Sequence, residues 1–265
     1  MEPVYRPVIA AARGLFAFQG NDITRIGADN IPATGGAVMA LNHIGYLDFA
    51  YGGFPAVDVH RLVRFMAKKE VFDHKVTGPL MRGMKHIPVD RAAGASAYRE
   101  AVRALRNGEL IGVFPEATIS RSFELKDFKL GAVRMAQEAG VPILPMVVWG
   151  TQRVWTKDHP KSVGKRRHVP ITVRVGPAIP VPADADTAAV TAQVKSAMAE
   201  MLHEVQQSYP TLTGDDLVYL PARLGGAAPT PERARELDSQ EAADKIAKRR
   251  AKAAKAAAKA AKSKS

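Results

Sequence analysis

Along the first two-thirds of the chain, short apolar and β-branched runs alternate with stretches whose apolar positions recur every three or four residues. The runs at 23–26, 37–41, 61–66, 85–89, 110–114, 143–148 and 171–175 predict strands. Helical patterns fall between them at 47–54, 76–83, 95–106 and 131–139, and Gly108 and Gly140 stand where the last two would end. A longer amphipathic stretch at 187–207 sets Val190, Val194, Ala197, Met201, Leu202 and Val205 near one face. This alternation predicts an α/β fold: a single domain with a mixed, mostly parallel central sheet flanked by helices. The opening segment, 1–18, reads as an amphipathic helix. At about 100° per residue, Val4, Val8, Ala11, Ala12 and Leu15 share one arc, with Tyr5 and Phe16 at its edge and Arg6 and Arg13 opposite. Such a helix either packs on the domain or lies in a membrane interface with Val4, Val8, Leu15 and Phe16 toward the acyl chains.

Composition narrows the classes. The 265 residues are ample for a buried core, and the absence of cysteine excludes a disulfide scaffold, a cysteine zinc site, an iron–sulfur cluster and a cysteine nucleophile. The first residues lack a basic segment followed by a long apolar run, so no cleaved secretion signal is expected. The longest stretch without Asp, Glu, Lys or Arg, 30–47, contains Asn30, Pro32, Asn42 and His43 and makes a poor lipid-facing helix. A cytoplasmic protein is expected.

Charge divides the chain. Of the net +12, nine Lys or Arg and no acid lie in 245–265; taking those nine away leaves +3 on the rest, an ordinary balance for a folded body. Residues 1–223 are expected to form the domain, the Gly- and Pro-rich 224–231 a linker, and 232–265 a basic tail, helical or disordered. Lys252, Lys255 and Lys259 belong to a series spaced four and three apart, one face of a helix if helical. The tail is either a solvated appendage or is drawn to anionic lipid head groups, at about 1 kcal/mol per cation near the surface. Nucleic acid is disfavoured, because the tail has no aromatic residue to stack on bases.

The candidate chemistry sits at strand ends. His43 and Asp48 follow the run at 37–41, where α/β sheets place ligands. On one continuous helix they would lie about 140° apart. If His43 is in the turn and Asp48 in the next helix's first turn, the carboxylate can fold back, fix the imidazole tautomer and stabilise the imidazolium. The pair is two-thirds of a serine-type triad, with the serine's place open to a substrate hydroxyl. Phe114-Pro115-Glu116-Ala117-Thr118-Ile119-Ser120-Arg121 follows another run, and Asp90-Arg91 ends a third. Strand-end loops of one sheet converge, so His43, Asp48, Arg91, Glu116 and Arg121 can share a cleft. Arginine there suits bidentate recognition of phosphate, while a salt bridge between loops is the plainer reading of Arg91 and Glu116. His60, His74, His159, His168 and His203 show no metal spacing, and Trp149 and Trp155 suit either the core or an acyl channel.

Four ordered blocks resemble the glycerolipid acyltransferases of the PlsC-like (1-acylglycerol-3-phosphate acyltransferase) family. They are Asn42-His43 with Asp48 five residues beyond His43, Gly83 to Val89-Asp90-Arg91, Phe114-Pro115-Glu116 with Thr118, and Pro142-Ile143 with Pro145; Phe128-Lys129-Leu130-Gly131-Ala132 is also similar to a family stretch. The resemblance implies that His43, oriented by Asp48, deprotonates the hydroxyl of a lysophospholipid acceptor, which attacks an acyl thioester donor carried by CoA or acyl-carrier protein. It implies that Asn42, Arg91, Glu116 and Thr118 bind substrate, with Arg121 a candidate to join them by a different loop path, that backbone N–H groups near the His turn hold the oxyanion, and that no metal or redox cofactor takes part. The expected product is phosphatidate, made by a peripheral enzyme at the cytoplasmic face of an anionic membrane. One departure bears on the acceptor: the family's Glu-Gly-Thr-Arg reads Glu116-Ala117-Thr118-Ile119 here, so its phosphate-binding arginine is replaced by isoleucine. Another lysophospholipid or a glycolipid is the alternative acceptor, and a catalytically inactive lipid-binding relative the alternative from a different class.

Overall fold

A computed structural model of the protein describes residues 2–90, 94–163 and 166–262. In chain order its elements are α1 (Tyr5–Phe18), β1 (Ile23–Ile26), β2 (Ala37–Leu41), α2 (Asp48–Gly52), α3 (Phe54–Asp58), β3 (Val63–Lys68), α4 (Lys69–Asp73), α5 (Thr77–Gly83), β4 (Ile87–Val89), α6 (Gly94–Arg106), β5 (Leu110–Val113), α7 (Gly131–Ala139), β6 (Ile143–Trp149), β7 (Ile171–Val175), α8 (Thr187–Ser208) and α9 (Pro231–Lys262). The seven strands form one sheet in the order β1-β7-β6-β2-β5-β3-β4. Five neighbours, β6, β2, β5, β3 and β4, run parallel; β7 is antiparallel to β6, and β1 is parallel to β7. The mixed, mostly parallel α/β domain read from the sequence is the one observed.

The parallel strands are near-continuous hydrophobic runs because both faces of the sheet are covered. Every residue of β2, β5 and β6 is buried. Val38 and Ala40 of β2 point into a cluster with Val102 and Leu105 of α6, Val133 and Ala136 of α7, and Met198 and Leu202 of α8. Met39 and Leu41 point the other way, toward Phe16, Tyr51, Phe54 and Phe65. A period of two along the strand thus divides one run between two cores.

Two predicted elements shift. The helix expected over 47–54 breaks into α2 and α3, because Pro55, in the first turn of α3, starts a new helix rather than extending the old one. The strand expected at 61–66 runs instead to Lys68, whose end pairs with β4 through Met66 opposite Ile87 and Lys68 opposite Val89.

The opening helix packs on the domain through Tyr5, Ile9, Ala12 and Phe16, spaced four, three and four apart. Phe16, expected among the lipid-facing residues, is instead buried, its ring stacked on Tyr51 at 4.2 Å between centroids. Val4 and Val8 border a small cluster of Tyr5, Phe72, Met81 and Met84. Leu15 and Phe18 stay exposed. No helix among the described residues is long and apolar enough to cross a membrane.

At the other end, 224–231 is tied to the body. Ala227 N–H donates to Leu217 C=O at 2.8 Å, Ala228 N–H to Leu220 C=O at 3.1 Å, and Ala228 is buried. The helix α9 that follows contains Lys252, Lys255 and Lys259, and its first turns rest on the domain, with Ala234 buried.

Candidate active site

Because β6, β2 and β5 are adjacent and parallel, their C-terminal ends open on the same edge of the sheet, and three loops meet there. From β2 comes the turn at 42–47, from β5 the loop at 114–130, and from β6 the segment at 150–157. Asn42 closes the join between two of these strands. Its side-chain N–H donates to Val148 C=O at 3.0 Å, and its amide oxygen accepts from Val148 N–H at 2.7 Å. The expected substrate contact is therefore, in the structure, a fully buried side chain clamping β2 to β6.

The chain turns sharply after Asn42, and α2 begins at Asp48. That geometry brings His43 and Asp48 together as their spacing required: His43 Nδ1 lies 2.9 Å from Asp48 Oδ2. The same oxygen accepts from the backbone N–H of Ile44 at 2.7 Å and of Gly45 at 2.8 Å, and Oδ1 accepts from the Thr151 hydroxyl at 2.5 Å. Asp48 is fully buried, yet four donors meet its carboxylate, which is how a buried anion is made tolerable. Gly45 sits in tight space: a Cβ there would come within 3.1 Å of the Thr151 and Trp155 carbonyl oxygens and 3.2 Å of Asp48 Oδ1. Across the imidazole, Nε2 makes no hydrogen bond among the described residues, and the ring lies stacked on Phe114 at 4.1 Å.

These bonds correct one expectation. Four N–H groups of the His turn are not available to an oxyanion. Those of Ile44 and Gly45 go to Asp48, that of His43 to Glu116 Oε1 at 2.9 Å, and that of Tyr46 to Trp155 C=O at 2.9 Å. The turn is held from both sides, since Ser120 N–H donates to His43 C=O at 2.7 Å and the Thr156 hydroxyl to Ile44 C=O at 2.6 Å.

Glu116 lies inside the β5 loop. Its Oε1 takes the His43 N–H and its Oε2 takes the Lys126 N–H at 3.0 Å, so it fixes the His43 turn to its own loop. Burial pushes its carboxyl up to about 8, against the pull of the Lys126 and His43 N–H groups. The folded state therefore holds this proton more tightly than the unfolded chain, whose value is near 4.5. The contribution to stability is full below about 4.5 and declines as pH rises toward about 8. Glu116→Gln, which keeps the side chain neutral, is expected to flatten the fall in urea midpoint between pH 5 and pH 8; equal slopes in both proteins would place that proton elsewhere.

The remaining expected contacts separate. Arg91 lies outside the described residues. Ile119, at the position of the family's arginine, is buried in the loop interior. Ala117, where the family has glycine, sits at φ 62°, a conformation that costs a residue with a Cβ roughly 1 kcal/mol or more. The Thr118 hydroxyl accepts from Lys126 Nζ at 2.6 Å. Arg121 is buried and meets three carboxylates, those of Asp158, Asp238 and Glu241.

His86 and Trp149 are structural. His86 Nδ1 accepts from Phe65 N–H at 3.0 Å, and burial, aided by nearby Arg64, pushes its pKa down to about 4. Trp149 is core, edge-on to Tyr209, while Trp155 is half-buried against Tyr46 of the His turn. Thr151 escaped the sequence reading, although its place directly after the β6 end, beside β2, was the available signal. Gly150 makes that placement possible: at φ 97° its missing Cβ would stand 2.1 Å from Pro170 C=O.

A mostly parallel sheet with a buried-carboxylate His–Asp pair at its C-terminal edge has the parts that general-base chemistry requires. Residues 22–149 match the acyltransferase family model. The chain is 34% identical over 123 residues to a 1-acyl-sn-glycerol-3-phosphate acyltransferase of Bacillus subtilis (strain 168), covering 46% of this chain and 60% of the relative. It is 40% identical over 119 residues to the enzyme of that name from Limnanthes douglasii, covering 43% of this chain and 41% of the relative. The match thus spans about half the length of these relatives. The fold is shared with the crystal structure of the 1-acyl-sn-glycerophosphate (LPA) acyltransferase PlsC from Thermotoga maritima. The TM-score is 0.64 at 22% identity, over 78% of this chain and 81% of that one.

Proposed function

We propose that the protein transfers a fatty acyl group from an acyl thioester to the free hydroxyl of 1-acyl-sn-glycerol 3-phosphate, giving phosphatidate. The observation that carries the reading is the 2.9 Å contact between His43 Nδ1 and the buried, fourfold hydrogen-bonded Asp48. A carboxylate there keeps the proton on Nδ1 and leaves Nε2 as the acceptor. Nε2 takes the proton of the substrate hydroxyl as its oxygen adds to the thioester carbonyl. The tetrahedral adduct expels the thiolate, and imidazolium, steadied by Asp48, returns the proton to sulfur. Atoms and charges balance without an electron carrier, and the ester bond forms as the thioester breaks. The names of the similar proteins support lysophosphatidate as acceptor.

The reading places the enzyme on the cytoplasmic face of a membrane, where its lipid substrates lie. Exposed Leu15 and Phe18 on α1 and the cationic end of α9, with Lys252, Lys255 and Lys259, are two weak anchors whose effects combine.

The buried Ile119 is the reason to test acceptors side by side. Lysophosphatidate, glycerol 3-phosphate, a lysophospholipid with a head group and a lysoglycolipid are offered with palmitoyl-CoA and with palmitoyl-acyl-carrier protein, and products are identified by mass. Phosphatidate as the main product is expected. A product formed only from the head-group lysophospholipid or the glycolipid would keep the chemistry and overturn the acceptor.

A further inference from the structure

Three cations of the candidate site converge on one helix. Arg121 Nη1 pairs with Asp238, and its Nη2 lies 3.0 Å from Glu241. Lys126 Nζ pairs with Asp238 while donating to the Thr118 hydroxyl at 2.6 Å. Lys157 Nζ reaches Asp238 at 3.4 Å and Glu241 at 2.7 Å. Arg121 also meets Asp158 at 2.5 Å. These groups stand close to the catalytic turn. Lys126 shares Glu116 with His43, and Arg121 follows Ser120, whose N–H holds the His43 carbonyl. Lys157 follows Thr156, which binds Ile44 C=O.

A guanidinium and two ammonium groups directed at one point, with the Thr118 hydroxyl against one of the ammonium groups, are donors that suit a phosphate monoester. The two carboxylates of Asp238 and Glu241 bring a charge of −2 to that point, close to the roughly −1.5 to −2 of a phosphate monoester at neutral pH. Their neighbouring cations hold both carboxyls below the usual carboxylate range, so both are ionised across the neutral range. The acids are concentrated where the helix meets the domain: 231–244 holds five acids and two arginines, and the rest of the helix is purely basic.

We infer that Arg121, Lys126, Lys157 and Thr118 form a phosphate-monoester site beside His43, and that Asp238 and Glu241 of α9 are its tethered occupant, displaced by the acceptor's phosphate. The inference rests on the proposed acyl transfer for the identity of that acceptor. It accounts for how a chain with isoleucine at position 119 binds a phosphate: its cations come from Arg121 and Lys126 of the same loop and Lys157 of the next. A tethered competitor weakens apparent acceptor affinity by the fraction of time the site is open, so a site open one-tenth of the time binds about tenfold more weakly than a vacant one.

The test uses the full chain and needs no turnover. Hydrogen exchange of amides in 231–245 is followed with a short-chain lysophosphatidate, with the monoacylglycerol of the same chain, and with inorganic phosphate. Lysophosphatidate is expected to speed exchange there about tenfold, inorganic phosphate to do so only at higher concentration, and monoacylglycerol to have no effect. Exchange that ignores saturating lysophosphatidate, or responds equally to monoacylglycerol, overturns the inference. In parallel, the Asp238→Asn, Glu241→Gln double variant is expected to bind lysophosphatidate about tenfold more tightly, and Lys157→Met about tenfold more weakly. If the ion pairs merely pin the helix, the double variant melts earlier with its affinity unchanged, which also overturns the inference. Helix release without any acyl transfer would keep the anion site and sink the proposed reaction; acyl transfer with a helix that never releases would sink the anion site alone.

Discussion

Replacing His43 by alanine is expected to lower kcat by roughly 10²–10⁴-fold, the usual contribution of a positioned general base, with KM for both substrates little changed. The fold should survive. The His43 side chain is 20% exposed, and its backbone bonds to Glu116 and Ser120 do not involve the ring. Asp48 would lose one donor of four and keep Ile44, Gly45 and Thr151. Steady-state kinetics with a thermal melt on the same preparation separate the two effects. A kcat within a few-fold of the parent would remove His43 from the reaction.

Asp48→Asn is expected to be as damaging to rate, roughly 10²–10⁴-fold in kcat, yet far milder to the fold than Asp48→Ala. The physical reason lies in the donor set. Asparagine can place its carbonyl oxygen where Oδ2 accepts from His43, Ile44 and Gly45. Its NH₂ then faces Thr151, whose hydroxyl can rotate to accept. The hydrogen bonds survive, and the negative charge that steadies the imidazolium does not. Alanine instead strands the Ile44 and Gly45 N–H groups in a buried turn, at about 1–3 kcal/mol for each. Urea denaturation of both variants checks the order: alanine should lose several kcal/mol and asparagine much less. Equal losses would mean the carboxylate holds the turn by its charge rather than by hydrogen-bond geometry.

What was readable in the sequence follows from how local each feature is. The strands of the core and the helices α6, α7 and α8 carry apolar repeats of period two or three to four, and these elements appear within a few residues of where the pattern puts them. The His43–Asp48 pair was legible because five residues of turn and first helical residue fix it. Convergence of the loops at 42–47 and 114–130 was legible because parallel neighbouring strands put their C-terminal ends on one edge.

The rest depends on partners far along the chain. Glu116 is as plausible on a phosphate as on a backbone amide until the fold puts His43 N–H and Lys126 N–H on its two oxygens. Arg121 reads as an open anion binder, and only the return of α9, more than a hundred residues later, gives it Asp238 and Glu241. The N–H groups of the His turn looked like oxyanion donors because sequence does not show that Asp48 takes two of them. Charge and motif specify which groups are present; which partner each one meets is decided by the loops that close over the site.

The central claim is tested most directly by incubating the protein with palmitoyl-CoA and lysophosphatidate and measuring phosphatidate and free thiol in the same sample, with His43→Ala in parallel. The account predicts one phosphatidate per thiol from the parent protein and neither from the variant above background. Thiol released without phosphatidate, or phosphatidate made equally well by the variant, would contradict it.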